Sequence, residues 1–359
     1  MISKGTDLPR RKETMSKFWG RVGVVALTTA ALALGGGTAS ATPDPASPAL
    51  AAITDLGTLP GDLWSEGQSV NAQGVVVGAS HTNGRVRAVR WAADGTATAL
   101  SALPGDPSSY SWAVNTAGTA AGASLSSQTN PRAVRWSASG AVTALSGIGG
   151  TSSYAYGIND SGIASGYATT SAGQRHAVRW GAAGGVTDLG TLPGDSASEA
   201  RRVNNHGVVV GVSTQPAQSR AVRWAVDGTA TELPGLGGSI TVAWGINDNG
   251  VVVGNSTTVN GQNHAVRWSA TGAVTDLGVL PGDSASYAWG IDASDTSSGA
   301  SFSGNQAHAV TWDADGNVTP LGTLPGGTSS HAVSIAAKTF AAGSALTQQG
   351  NSRAVRWTL

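Results

Sequence analysis

The residues in this chain best suited to chemistry recur at two places. Seven short segments end in an Ile or Val that precedes a turn, usually Asn-x-x-Gly. Four residues before that Ile or Val stand Glu66, Tyr110, Tyr154, Glu199, Val242, Tyr287 and His331. Two residues before it stand Gln68, Trp112, Tyr156, Arg201, Trp244, Trp289 and Val333. The positions between are mostly small, and four of the five tyrosines of the protein belong to this set. Aromatic rings with a few fixed charges suit stacking on sugar rings with polar anchoring of hydroxyls. The expected ligand-binding residues are therefore Glu66, Tyr110, Trp112, Tyr154, Tyr156, Glu199, Arg201, Trp244, Tyr287, Trp289 and His331. The structural alternative is that these aromatics fill wedge-shaped gaps between packed sheets. Glu66 and Glu199 are the only acidic pair in the set, and His331 and Tyr154 are candidate proton carriers. They would make a polysaccharide hydrolase or lyase if the carboxylates lay within about 10 Å of each other.

Other titratable residues give weaker signals. His176, His264 and His308 share one repeat position that is Arg87, Arg132, Arg220 or Arg353 elsewhere. On separate modules at one radius they cannot converge on an ion. The Leu-Pro-Gly-Asp turns ending at Asp62, Asp106, Asp195 and Asp283 supply one carboxylate each, without the clustered oxygens of a calcium site. No metal, cofactor or catalytic triad is implied.

The elements that position these side chains are set by a repeat. Trp91, Trp136, Trp180, Trp224, Trp268, Trp312 and Trp357 are spaced by 45, 44, 44, 44, 44 and 45 residues, the mark of an array of supersecondary units. Each unit holds four short runs rich in Val, Ile, Thr and aromatics, bounded by turn residues, which read as strands. The first two runs are joined by Asn-x-x-Gly, and the last two by an x-Gly pair such as Ala183-Gly184 or Asp227-Gly228. Four antiparallel strands per 44 residues is the size of a propeller blade. The last unit stops just after Trp357 without its fourth strand, and an unpaired run, Ile53 to Leu56, precedes the first. The expected fold is thus all-β, a seven-bladed β-propeller of four-stranded antiparallel blades, its last blade closed by the N-terminal strand. The first strand of each unit, which carries the variable residues, should border the central channel. Counting outward from the x-Gly turns places the Arg before each Trp opposite an acid: Arg179 to Asp188, Arg223 to Glu232, Arg267 to Asp276 and Arg356 to Asp55. These read as cross-strand structural pairs. The Trp residues read as packing anchors between blades.

The run Gly-Ile-Asn-Asp-x-Gly-x-Val-Val-Gly, then His-Ala-Val-x-Trp, then Asp-Leu-Gly-Thr-Leu-x-Gly, is seen at Gly157–Gly166, His176–Trp180 and Asp188–Gly194. It resembles the bacterial HAF family of extracellular repeats. The likeness spans 53–359, with Val in place of the family's Phe at Val178, Val266 and Val310. It implies a secreted or surface repeat protein and no particular activity.

Residues 1–41 read as a signal peptide: an apolar run from Val22 to Leu34, Lys17 and Arg21 before it, and Ala39-Ser40-Ala41 as a cleavage site. Met1 or Met15 could be the start. Residues 42–52 form a Pro/Ala linker, and 53–359 the propeller. The chain has 21 basic and 21 acidic residues, of which six and two lie in 1–41, leaving 15 against 19 and a charge of −4 after cleavage. With one lysine left and no basic face, nucleic acid and anionic membrane are not expected partners. The sequence has no cysteine, and a core of this size can form without disulfides. The expected function is a secreted, monomeric, non-enzymatic binding or structural module, recognising a surface polysaccharide or protein at one channel mouth. The alternatives are a polysaccharide-acting enzyme with its site in the channel, and a ligand-free matrix protein with a plugged channel.

Overall fold

The computed structural model describes residues 51–126 and 130–359. The expected signal segment and residues 42–50 of the linker lie outside them. Every regular element among the described residues is a strand. No helix among them is long and apolar enough to cross a membrane.

The strands pair as antiparallel sets of four, in chain order within each set. Five sheets hold one set each. A sixth, eight-stranded sheet holds two sets joined by one parallel bridge between Ser219 and Ile240. Seven four-stranded sets result. The last is made of Ser330–Ala336, Phe340–Leu346 and Ser352–Thr358, completed by Ala52–Asp55 from the other end of the chain. Thr54 is the partner of Arg356 and Asp55 of Val355. The first strand of each set touches the first strand of the next, and the strand Trp64–Val70 touches Ser330–Ala336, so the ring of sets closes. These seven strands are innermost, and all contribute to one cavity of about 270 Å³ at one end of the channel.

The recurrent Trp residues are the anchors between blades. All seven have no exposed surface. Each sits in a cluster drawn from two neighbouring blades, as where Val77, Ala88 and Leu100 of the first pack on Val134 and Trp136 of the second. The indole of Trp136 donates to Ser101 O at 2.7 Å and that of Trp268 to Pro234 O at 2.7 Å, both in the preceding blade or the turn that leaves it.

The expected Arg–acid pairs do not form. Asp188 lies opposite Val178, Glu232 opposite Val222, Asp276 opposite Val266 and Asp55 opposite Val355, while Arg179 lies opposite Thr187. The turn is the cause. Gly181 N donates to Gly185 O and Gly184 N to Gly181 O, with Gly184 at φ +96°. That is a three-residue loop ending in a left-handed glycine, whereas the x-Gly pair was counted as a two-residue turn. One residue of slip moves every side chain to the other face. The acids instead meet the residue at the His/Arg repeat position: Asp188 with His176 at 2.9 Å, Asp276 with His264 at 2.8 Å and Glu232 with Arg220 at 3.0 Å.

The Arg before each Trp is structural in another way. It reaches across to the next blade and donates to backbone carbonyls. Arg267 binds Ala314 O at 2.7 Å, Asp313 O at 2.6 Å and Asp295 O at 3.0 Å. Arg356 carries the same link across the closing seam, to Gly74 O and Ala93 O. Thr311 stands at this position in the sixth blade. The blade beyond it has no hairpin joining its two outer strands, so the turn carbonyls that would receive an arginine are missing. Arg267→Met should cost about 1–3 kcal/mol, the worth of hydrogen bonds to a charged donor. Thr311→Arg should gain much less. Urea denaturation midpoints of the two variants measure both.

Candidate functional site

Each inner strand carries a β-bulge at one repeat position. Register jumps occur between Gly67 and Ser69, Ser111 and Ala113, Ala155 and Gly157, Ala200 and Arg202, Ala243 and Gly245, Ala288 and Gly290, and Ala332 and Ser334. The skipped, unpaired residue is therefore Gln68, Trp112, Tyr156, Arg201, Trp244, Trp289 or Val333. These are the variable residues two before the Ile or Val. Bulges re-aim a side chain next to functional sites. Here the device repeats in every blade and re-aims the same inner-strand position seven times. The glycine that closes Val-Val-Gly lies beneath each bulge. A Cβ on Gly78, Gly254 or Gly343 would strike the carbonyl oxygen of Glu66, Val242 or His331.

The two variable positions meet, as expected of residues on one face. Tyr110 and Trp112 have ring centroids 4.7 Å apart, Tyr154 and Tyr156 5.7 Å, and Tyr287 and Trp289 5.9 Å. Contacts then run from blade to blade. Tyr110 OH donates to Glu66 at 2.6 Å and accepts from Gln68 at 2.7 Å. Trp112 meets Tyr156 edge-on at 5.4 Å. Arg201 lies between the rings of Tyr156 and Trp244, 4.8 and 4.6 Å from their centroids. Trp289 meets His331 at 6.0 Å. All eleven candidates contact another of the set, in two runs: one from Glu66 to Trp244, which Glu199 joins at Arg201 at 2.6 Å, and one of Tyr287, Trp289 and His331. Glu199 also pairs with Arg175.

Sequence reasoning missed several members. Trp64 stacks on His81 at 3.3 Å, and His81 Nε2 lies 3.0 Å from Glu66. Arg175 lies over Tyr167 at 4.3 Å, Asn255 accepts from the Trp244 indole at 2.7 Å, and Phe302 meets Tyr287 at 5.5 Å. A signal existed for two of them. Tyr167 and Asn255 directly follow the Val-Val-Gly-type glycine, where other copies have Ala79, Ala123 and Ala300.

Burial divides the set. Tyr110, Tyr156, Glu199 and Arg201 are buried, at 1, 8, 8 and 7 % exposure, and plug gaps between inner strands. Glu66, Trp112, Tyr154, Trp244, Tyr287, Trp289 and His331 are half-buried.

The electrostatics follow from these partners. Burial alone would raise the Glu66 carboxyl, but hydrogen bonds from His81 and Tyr110 and the charge of His81 and His331 outweigh it and hold it below its ordinary value. Burial pushes the His331 imidazole down, against the pull of Glu66. Burial and the neighbouring carboxylates push the Tyr110 and Tyr156 phenols well up. Arg202, whose guanidinium donates to the carbonyls of Tyr156 and Arg201, is pushed down to about 10 by burial and by Arg201. Glu66 and Glu199 keep separate partners, and no contact joins them among the described residues. The two-carboxylate hydrolase arrangement therefore draws no support from their contacts. No cluster of three His, Asp or Glu side chains among the described residues could hold a metal ion.

Glu66 and His331 both make the fold acid-sensitive. His331 binds its proton less readily when folded, so unfolding takes up protons as pH falls below about 6.5. Glu66 adds the same effect below about 4.3. Thermal midpoints should fall from pH 7 to pH 5, and His331→Gln should flatten that part of the curve.

The end of the channel at the Asn-x-x-Gly turns is polar and self-bonded. Asn71 Nδ2 donates to Asn115 O, Asn115 to Asn159 O, Asn159 to Asn204 O, Asn204 to Asn247 O and Asn247 to Asp292 O, at 2.9–3.1 Å. Each Asn links its blade to the next, a role beyond the turn residue read from the sequence.

No protein-family model matches the chain, and neither does any curated protein. Solved structures do. A catalytically inactive virginiamycin B lyase from Staphylococcus aureus, solved with quinupristin, matches with a TM-score of 0.59 at 13 % identity, covering 86 % of this chain and 99 % of that one. A streptogramin B lyase matches with a TM-score of 0.53 at 11 % identity, covering 86 and 98 %. The β-propeller domain of the trilobed protease from Pyrococcus furiosus matches with a TM-score of 0.52 at 8 % identity, covering 82 and 94 %. At such identities the likeness concerns the fold alone, and that fold is a β-propeller.

Proposed function

We propose that this protein is an exported binding module of the HAF-repeat type, a non-enzymatic propeller that holds a surface polysaccharide at the aromatic mouth of its channel. One observation carries the reading: half-buried Trp and Tyr rings recur at the same inner-strand positions of several blades, each held by a neighbouring ring or side chain, beside fixed polar groups. Preset ring faces with oriented hydrogen-bonding groups are what a sugar requires. The state of the carboxylates supports binding over catalysis. Glu66 is held toward its ionised form by its donors, so it is not poised as a general acid, and both oxygens of Glu199 are engaged by arginines. Export rests on the signal-like N-terminal sequence and the HAF resemblance.

Trp244→Ala combined with Trp289→Ala should lower retention on a glycan array by tenfold or more, while thermal unfolding stays cooperative. Undiminished retention by that variant would remove the aromatic mouth as the binding surface. One observation favours a lyase instead. Burial pushes the His331 imidazole toward its neutral form, against the pull of Glu66, and a neutral imidazole can take protons from carbon acids. Glycan cleavage by the purified protein, abolished in His331→Gln, would replace the binding reading with that one.

A further inference from the structure

In three blades an arginine reaches the carboxylate of the turn before its blade, and in two of them it fills a cleft that the sixth blade leaves open. Arg87 reaches the Leu-Pro-Gly-Asp turn before its blade, with Nε 3.1 Å and Nη2 2.7 Å from the Asp62 carboxylate and Nη2 3.0 Å from Pro60 O. Arg220 repeats this at Asp195 and Pro193 O, at 3.2, 2.8 and 3.0 Å, and adds Glu232 at 3.0 Å. Twelve residues separate Arg220 from Glu232, as twelve separate His308 from Pro320. His308 therefore stands in place of the arginine and Pro320 in place of the second acid.

The turn itself is intact. His308 Nδ1 lies 3.0 Å from Asp283 Oδ2, and the Asp283 side chain is only 5 % exposed. Its Oδ1, the atom that takes Nη2 in the sister turns, has no side-chain partner among the described residues. Beside it lies a cavity of about 340 Å³ lined by Leu280, Pro281, Asp283, His308, Pro320 and Thr323, on the seam between the sixth and seventh blades. The cavity occupies the position that the Arg220 guanidinium and its partners fill in the fourth blade.

We propose that this cavity is a binding site for an alkylguanidinium group, supplied by an arginine side chain of a peptide ligand. With Asp283 Oδ2 held by His308, the planar fork of a guanidinium can donate to Oδ1 and, from a second N–H, to Pro281 O, by analogy with Pro60 O and Pro193 O; a compact ammonium lacks that spread of fixed donors. The aliphatic stem lies against Leu280, Pro281 and Pro320, which bury methylenes while the charged end meets the acid. The loss of the second acid makes the site a single-charge one.

The test is an NMR titration of the protein with N-acetyl-arginine amide. Resonances of His308, Ala309 and Thr323 should move with a Kd on the order of 1 mM. N-acetyl-citrulline amide, of the same shape without charge, should move them at least tenfold more weakly. His308→Arg seats the chain's own guanidinium in the cavity, as in two sister blades, and should abolish the response without loss of fold. Asp283→Asn should abolish it by removing the charge. Equal responses to the arginine and citrulline probes, or an undiminished response in folded His308→Arg, would overturn the site.

Discussion

Gly254→Ala is expected to lower unfolding free energy by about 3–5 kcal/mol, at the exceptional end for one methyl group. The added Cβ would run into Val242 O, a backbone atom of the adjacent inner strand, and would stand 2.9 Å from Trp268 Cζ3. Neither can yield cheaply. Val242 is held in register with Asn255 in the antiparallel ladder, next to the bulge at Trp244. Trp268 has no exposed surface and is packed between two blades. Interiors at native packing density accommodate overlap only by moving backbone or leaving rotamer wells. Gly185→Ala is the control: nothing lies within 4 Å of its Cβ and its φ is ordinary, so it should change stability by less than about 0.5 kcal/mol. Chemical denaturation of both variants measures the difference, and an unchanged midpoint for Gly254→Ala would show that the bulge relaxes.

The same glycine shows how far the sequence could be read. Its recurrence was visible, as were the Trp period, the four strand-like runs per unit and the strand that completes the last set. These are local patterns repeated seven times, so noise in one copy is corrected by the others. Details that depend on one residue of backbone geometry were not legible. The three-residue loop at Ala182-Ala183-Gly184 differs from a two-residue turn only in φ and ψ, yet it moved Arg179 off Asp188 and sent it to the carbonyls of Gly207 and Val226 in the next blade. The bulge is equally silent in a pattern of small and large residues. Alternation put the two variable positions of each strand on one face, and across the inserted residue they still meet. Alternation does not reveal that Arg201 is the unpaired residue of its strand, or that Arg175 comes to Glu199 and Tyr167 to Tyr156 from other strands.

That placement of Arg201 leads to the second large effect. Arg201→Met should destabilise the protein by about 3 kcal/mol, the cost of leaving a buried charge without its partner. Arg201 is 7 % exposed. It pairs with Glu199 at 2.6 Å, the more buried of that carboxylate's two arginines, and lies between two aromatic faces whose attraction to a desolvated cation adds roughly 1–2 kcal/mol. Methionine replaces the stem but neither the charge nor the donors. Glu199 is then left to Arg175, whose side chain is 40 % exposed and screened by water. Glu199→Gln should also destabilise, since it leaves the Arg201 and Arg175 guanidiniums facing a neutral amide. The double variant should cost less than the sum of the single variants by roughly 0.5–3 kcal/mol, the coupling expected of residues in direct contact. Strict additivity would mean that Arg201 acts through its aromatic neighbours alone. Glycan retention separates stability from function. If the Arg201 guanidinium holds the Trp244 ring in its binding orientation, Arg201→Met loses retention even below its unfolding temperature. Glu199→Gln, which keeps the cation between the rings, retains most of it.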